Sequence, residues 1–201
     1  MIVNIFDYKV GNLRSIYNFF NLSLGLKTGV VKNLKKSNNF NVLVLPGVGS
    51  FGSAMSNINQ KNRELIVDFA ENKKKIIIGI CLGMQILSEE SSESSGYDGL
   101  GLIEGKFKKI KETIKFRTPN VGWHQIVSEK KNKILNNLNN KHFYFDHSYY
   151  LNNNKNTVAY INYNNKIPSI IMKKNIIGFQ FHPEKSQQAG IQLIKNYLST
   201  I

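Results

Sequence analysis

One cysteine in 201 residues leaves nothing to build an internal disulfide framework, and a lone thiol fits a reducing, cytoplasmic setting. Long apolar runs are missing too: no stretch approaches the roughly 20 residues that a membrane-spanning helix needs. The first ten residues, MIVNIFDYKV, lack a basic leader region and carry Asp7, so they do not read as a secretion signal. Internal repeats and flexible linkers are absent, and the length suits one domain over 1–201 with a substantial core. Acidic residues are scarce, 13 Asp and Glu against 27 Lys and Arg, for a formal net charge of +14. Such an excess would suit a nucleic-acid partner. The lysines, however, are scattered among asparagines, as in KKNKILNNLNNK and LNNNKN, and no nucleic-acid module is recognisable. The charge reads as a compositional bias, and no nucleic-acid partner is expected.

What is present is strand and helix in alternation. MIVNIF suits a buried strand, and Gly11 opens a helical stretch through Leu24. There Leu13, Ile16, Tyr17, Phe20 and Leu24 recur at helical spacing. NVLVLPGVGS is a second strand that stops at Pro46 and Gly47; RELIVDFAENKK reads as a helix and KIIIGI as a third strand. This alternation predicts an α/β fold with a parallel sheet covered on both faces. In the second half, GKFKKIKE, GWHQIVS, KHFYFDHSYY, TVAYINY, PSIIMKK and IIGFQF are short, β-branched or aromatic segments that predict further strands, some antiparallel. AGIQLIKNYLST closes the chain as an amphipathic helix, and the Asn/Lys clusters near 130–140 and 152–156 read as surface loops.

The cysteine stands in GICLGMQIL, between the end of an apolar strand and a predicted helix over LGMQILSEE. In open α/β sheets that strand edge is where ligands bind. Gly79 and Gly83 permit a tight elbow, and a thiol at a helix N-terminus is favoured as thiolate. Taken alone, Cys81 reads better as a small buried hydrophobe, since free cysteine is among the most buried residue types. Two further segments favour chemistry. In FQFHPEKS, His182 and Glu184 are two apart, so an extended backbone would point both to one face, with Pro183 stiffening the link. Glu184 would then orient an imidazole against a nucleophile. In LPGVGS, a turn around Gly47, Val48 and Gly49 can aim N–H groups at a developing oxyanion, joined by the Leu82 N–H.

These segments resemble the class I (triad) glutamine amidotransferases, and within them the glutaminase subunits of imidazole glycerol phosphate synthases. DYKVGNLRS, LPGVGSFGSAM, GICLGMQIL, DGLGLIEG, NVGWHQI, FYFDHSY and FQFHPEKS follow one another in the family's order across essentially the whole chain. The resemblance implies a flavodoxin-like, mostly parallel central sheet flanked by helices, with additional antiparallel strands. It implies a Cys81–His182–Glu184 triad that hydrolyses L-glutamine to glutamate and ammonia, with no metal and no cofactor. The family's glutamine pocket falls on Gly49, Gln85, Glu93 and the backbone around His147, Ser148 and Tyr149. Gln85 and Glu93 equally suit a solvated helix residue and an ordinary loop carboxylate.

A glutaminase needs an ammonia acceptor, which in this family is a separate (β/α)₈-barrel synthase subunit forming a heterodimer. Trp123, Tyr144 and Lys185 occupy positions that resemble the docking face, although each also suits a core aromatic or a solvated lysine. Three positions depart from the family's pattern: Asn120 stands where His is usual, His124 where Asn is usual, and Asp146 where an apolar residue is usual. None belongs to the triad. They bear on which partner docks, so a paralogous subunit serving a surface-polysaccharide sugar amidotransferase stays open, as does a non-catalytic activating subunit.

Overall fold

The computed structural model describes residues 1–138, 141–152 and 155–200. In chain order it runs β1 (Ile2–Phe6), α1 (Leu13–Asn18), β2 (Lys27–Val31), β3 (Val42–Leu45), α2 (Phe51–Asn57), α3 (Gln60–Glu71), β4 (Ile76–Ile80) and α4 (Leu82–Ile86). The second half continues with β5 (Glu90–Ser91), β6 (Lys106–Lys109), β7 (Asn120–Gln125), β8 (His142–His147), β9 (Tyr149–Leu151), β10 (Thr157–Tyr163), β11 (Asn165–Lys173), β12 (Ile176–Phe179) and α5 (Gln187–Leu198). Seven strands form the main sheet in the order β10-β11-β12-β4-β3-β1-β2. The five from β12 to β2 are parallel, and β10 and β11 add antiparallel pairings at one edge. A second sheet joins β5, β6 and β9, while β7 and β8 form a separate two-stranded antiparallel ribbon.

The unbroken apolar runs at 42–45 and 76–80 follow from a sheet buried on both faces. Val42, Val44, Ile76, Ile78 and Ile80 enter one core with Phe179 and Phe181, whereas Leu43, Leu45 and Ile77 enter the other. Side chains on a strand alternate between faces, so one short run feeds both layers.

Several local expectations change. Lys27–Val31 forms an edge strand, which KTGVV conceals because its lysine and glycine break any apolar alternation. FGSAMSN makes a short helix capped by Ser50, whose side chain accepts from Ser53 N–H. The predicted helix from Gly11 to Leu24 begins at Leu13 and widens into a π-helical turn over Phe19–Ser23, which buries Phe19 together with Phe20. The helix after the cysteine spans only Leu82–Ile86, not the whole of LGMQILSEE, so its dipole is small. Within the predicted 130–140 loop, Lys133–Leu135 form a 3₁₀ turn; positions 139–140 and 153–154 of the two predicted loops lie outside the described residues. No helix among the described residues is long and apolar enough to cross a membrane.

One consequence of the strand order sets up the site. β12, β4 and β3 are adjacent and parallel, so their C-terminal ends lie side by side. The segments that leave them are those containing His182, Cys81 and Gly47–Gly49.

Candidate active site

Cys81 holds φ at +51° and ψ at −103°, a left-handed backbone that a residue with a side chain rarely takes. The strain is imposed from three sides. The Cys81 N–H donates to the Phe179 carbonyl at 2.7 Å, and the Cys81 carbonyl accepts the Gln85 N–H at 3.1 Å. Gly83 packs so tightly that a Cβ there would overlap the Leu45 carbonyl, and one at Gly47 would press on the Ile80 carbonyl and the Leu82 and Gly83 amides. Strand β4 therefore turns into α4 in a single residue, whose side chain is thrust out at the sheet edge. The Leu82 amide belongs to the first helical turn, where N–H groups have no intrahelical acceptor.

His182 lies three residues beyond the last position of β12 pairing and is buried. Its backbone N–H donates to the Tyr144 carbonyl at 2.9 Å. Ser186 ties the same junction twice, donating its hydroxyl to the His182 carbonyl at 2.6 Å and accepting the Tyr144 N–H at 3.0 Å. The imidazole Nδ1 is 2.8 Å from Glu184 Oε1, and these two side chains are only 3% and 1% exposed. The ring and the Cys81 side chain line the same cavity. With Nδ1 taken by Glu184, Nε2 is the nitrogen left for sulfur. Burial works against charge on this ring. The interactions with Cys81 and Glu184 outweigh it and carry its pKa from 6.5 up to about 10.

The extended-strand reasoning for His182 and Glu184 does not hold. Pro183–Lys185 form a 3₁₀ turn, with Pro183 in the first turn where its fixed φ suits a helix start. The carboxylate reaches Nδ1 by folding back over that turn, not by sharing a strand face.

Around the thiol is a cavity of about 290 Å³ lined by Gly47, Val48, Gly49, Cys81, Leu82, Gln85, Glu93, Pro119, Asp146, His147, Ser148, Tyr149 and His182. It gathers the predicted elbow, turn, pocket and imidazole residues at one place. The Gly49 φ of +129° shapes the turn, whose base is held by a hydrogen bond from the Tyr8 hydroxyl to the Pro46 carbonyl. Opposite, Cys81 Sγ lies 3.6 Å from the Asp146 carbonyl oxygen. Gln85 is buried, and its amide donates to Ser91 Oγ at 2.6 Å and to Glu93 Oε2 at 2.8 Å. The Phe51 N–H donates to that same Glu93 oxygen at 2.9 Å, so the carboxylate is fixed in place and Oε1 carries none of these bonds.

The family model for class-I glutamine amidotransferases matches residues 5–200. The chain belongs to the class-I glutamine amidotransferase family. Among the relatives of this amidotransferase is the imidazole glycerol phosphate synthase subunit HisH of Leptospira borgpetersenii. It is 38% identical over 98% of this chain and 99% of its own. The subunit of the same name from Methanocaldococcus jannaschii is 38% identical over 99% of this chain and 100% of its own. Among solved structures, PurLQS from Thermotoga maritima superposes with a TM-score of 0.75 at 19% identity, covering 99% of this chain and 98% of that one. A crystal structure of a glutamine amidotransferase gives 0.74 at 15% identity, again over 99% and 98%. At those identities the structural likeness speaks for the fold.

The amidotransferase also carries an exposed face beside its cavity. On the outer side of the β7–β8 ribbon, Val121 and Trp123 are 55% and 45% exposed. Trp123 meets Tyr144 edge-on with ring centroids 5.9 Å apart, and Lys185 Nζ sits 5.3 Å above the Tyr144 ring. Asp146 lies on the same outer face, paired across the ribbon with Val121. The other two departures, Asn120 and His124, are on the inner face and bond to each other at 2.7 Å. Sequence reasoning missed Ser91 and Ser186, whose hydroxyls fix Gln85 and His182. It also missed the Asp146 carbonyl. Contacts of that kind follow from chain crossings, and no local pattern announces them.

Proposed function

We propose that this chain is the glutaminase subunit of an imidazole glycerol phosphate synthase, feeding ammonia from L-glutamine to a (β/α)₈-barrel synthase subunit in histidine biosynthesis. The observation that carries the reading is the strained Cys81 sharing the wall of a cavity of about 290 Å³ with His182, itself held by Glu184 at 2.8 Å. The near full-length relatives named HisH support the choice within the family.

In this reading the Cys81 sulfur attacks the side-chain carboxamide carbon of glutamine, and the carbonyl oxygen takes up negative charge. The Leu82 N–H and the Gly47–Gly49 turn supply donors for it, a contribution on the order of 3 kcal/mol to such transition states. His182, protonated in the resting pair, delivers its proton to the leaving nitrogen, so ammonia departs and a glutamyl thioester remains. The neutral ring then takes a proton from water, which attacks the thioester and releases glutamate. Glu93 faces the substrate α-ammonium, and the 147–149 backbone and Gln85 line the rest of the pocket. Ammonia passes to the barrel subunit seated on Trp123, Tyr144 and Lys185, where aromatic anchors are well suited to an interface.

The test is glutamine hydrolysis and imidazole glycerol phosphate formation by the chain mixed with a histidine-pathway barrel subunit. Cys81→Ala should abolish glutamine-dependent synthesis and leave synthesis from added ammonia intact. Retained glutamine turnover in that variant would overturn the triad, and failure of the wild-type pair to make product would overturn the partner. The chain without its partner should turn over slowly, because the 47–49 turn, exposed at Val48 and Gly49, gains its final order on docking.

A further inference from the structure

The inner face of the β7–β8 ribbon packs on the aromatic core through Phe143 and Phe145, which lie against Phe181 at centroid distances of 4.5 and 5.4 Å. Strand alternation would make every residue of that face apolar. Three are not: Asn120, His124 and His147, of which Asn120 and His147 are buried and His124 is partly so. Buried polar groups of this kind need partners, and these three satisfy one another in series.

The bonding fixes its own direction. His147 Nδ1 is 2.8 Å from the Tyr149 carbonyl oxygen, which can only accept, so Nδ1 carries the hydrogen. His147 Nε2 is therefore a lone pair and accepts from Asn120 Nδ2 at 3.0 Å. That turns Asn120 Oδ1 toward His124 Nε2, which donates across 2.7 Å. The far end is wedged between aromatic rings, with His124 edge-on to Phe145 at 5.5 Å and to Tyr163 at 5.4 Å. Burial lowers the pKa of both histidines, that of His147 to about 4, so both rings stay neutral and the direction persists at neutral pH.

The near end lies at a joint. The chain leaves the ribbon at His147 and enters a different sheet at Tyr149, opposite Lys109, with only Ser148 between. The bond from His147 Nδ1 to the Tyr149 carbonyl spans that joint, and the Ser148 carbonyl is pinned by the Ile110 N–H at 2.9 Å. His147, Ser148 and Tyr149 all line the cavity that holds Cys81. We propose that His124, Asn120 and His147 form a directional hydrogen-bond relay that positions the 147–149 wall for glutamine, Asn120 and His124 being positioning residues that set substrate affinity and not the chemical step. This rests on the reading of the cavity as a glutamine site.

The test is steady-state glutaminase kinetics of the complex with the barrel subunit. Asn120→Ala and His124→Ala should each raise KM for glutamine by about tenfold, the scale of one lost buried hydrogen bond. They should leave kcat within about threefold, because the relay touches neither Cys81 nor His182. The reciprocal exchange Asn120→His with His124→Asn should return KM toward the wild-type value, since a neutral imidazole and a carboxamide can each donate and accept. An unchanged KM in the alanine variants, a loss confined to kcat, or an exchange variant as poor as the alanine variants would overturn the proposal. Should an alanine variant fail to fold, nitrogen NMR of the wild-type chain decides alone: His147 must show the Nδ1–H tautomer, and an Nε2–H signal sinks the relay. Wild-type turnover of glutamine is the separate check on the cavity, so failure of the relay and failure of the glutamine reading give different results.

Discussion

Replacing His147 by asparagine should remove a defined part of the acid sensitivity of folding. The buried His147 ring titrates near 4 in the folded chain, because burial opposes its charge more than its bond to the Tyr149 carbonyl favours it, and His124 and His182 add like-charge repulsion. In the unfolded chain the same ring returns to its ordinary 6.5. Between those values the unfolded state holds the extra proton, so stability falls as pH drops through 6.5 and the loss is complete below about 4. At about 1.4 kcal/mol per pH unit, the interval from 6.5 to about 4 amounts to about 3 kcal/mol, with about 2 kcal/mol of it gone by pH 4.5. Asparagine can still donate to the Tyr149 carbonyl but cannot titrate. Urea unfolding of wild type and His147→Asn at pH 7.0, 6.0, 5.0 and 4.5 reads the difference directly, since the carboxylates titrate alike in both proteins. The variant should begin less stable at pH 7 and close the gap by about 2 kcal/mol at pH 4.5. Two curves that stay parallel would refute the claim that this ring is held neutral by its surroundings.

His182 should behave in the opposite sense. Its folded-state pKa of about 10 lies above the ordinary 6.5, so its contribution to stability is complete below 6.5 and is lost as pH rises through 10; unfolding measured from pH 7 to 10 should fall more steeply for wild type than for His182→Asn. Gly83→Ala places a methyl group into the Leu45 carbonyl and should cost about 3 kcal/mol or more in chemical denaturation, with glutaminase activity lost in whatever folds. Trp123→Ala removes an exposed aromatic anchor and should weaken association with the barrel subunit by about tenfold or more in titration calorimetry, while leaving the melting temperature of the isolated chain within a few degrees.

The parts legible in the sequence are those where local pattern and tertiary role coincide. IIIGI and VLVL announce doubly buried strands because nothing polar interrupts them, and the glycines around Cys81 announce a tight turn because backbone must approach backbone there. KTGVV was hidden because an edge strand tolerates lysine and glycine, and FGSAMSN because its small residues carry almost no periodicity. The HPE segment is the instructive case. The two-residue spacing predicts the pairing of His182 with Glu184 on extended geometry, and the chain achieves it through a proline-led turn. The Ser186 bridge and the Asp146 carbonyl depend on where β8 crosses the end of β12, a long-range fact that no window of residues contains.

The β7–β8 ribbon is one layer thick, and its two surfaces look onto different chemistry. Trp123 faces outward while its neighbour His124 faces the aromatic core, and Asp146 is outward where His147 borders the cavity. Inserting or deleting a single residue in this hairpin would turn the hairpin inside out, sending indole into the cavity wall and imidazole into solvent. The outer surface can therefore be changed one position at a time, whereas the bonded Asn120–His124 pair has to change together, and a change of spacing would disturb both surfaces at once.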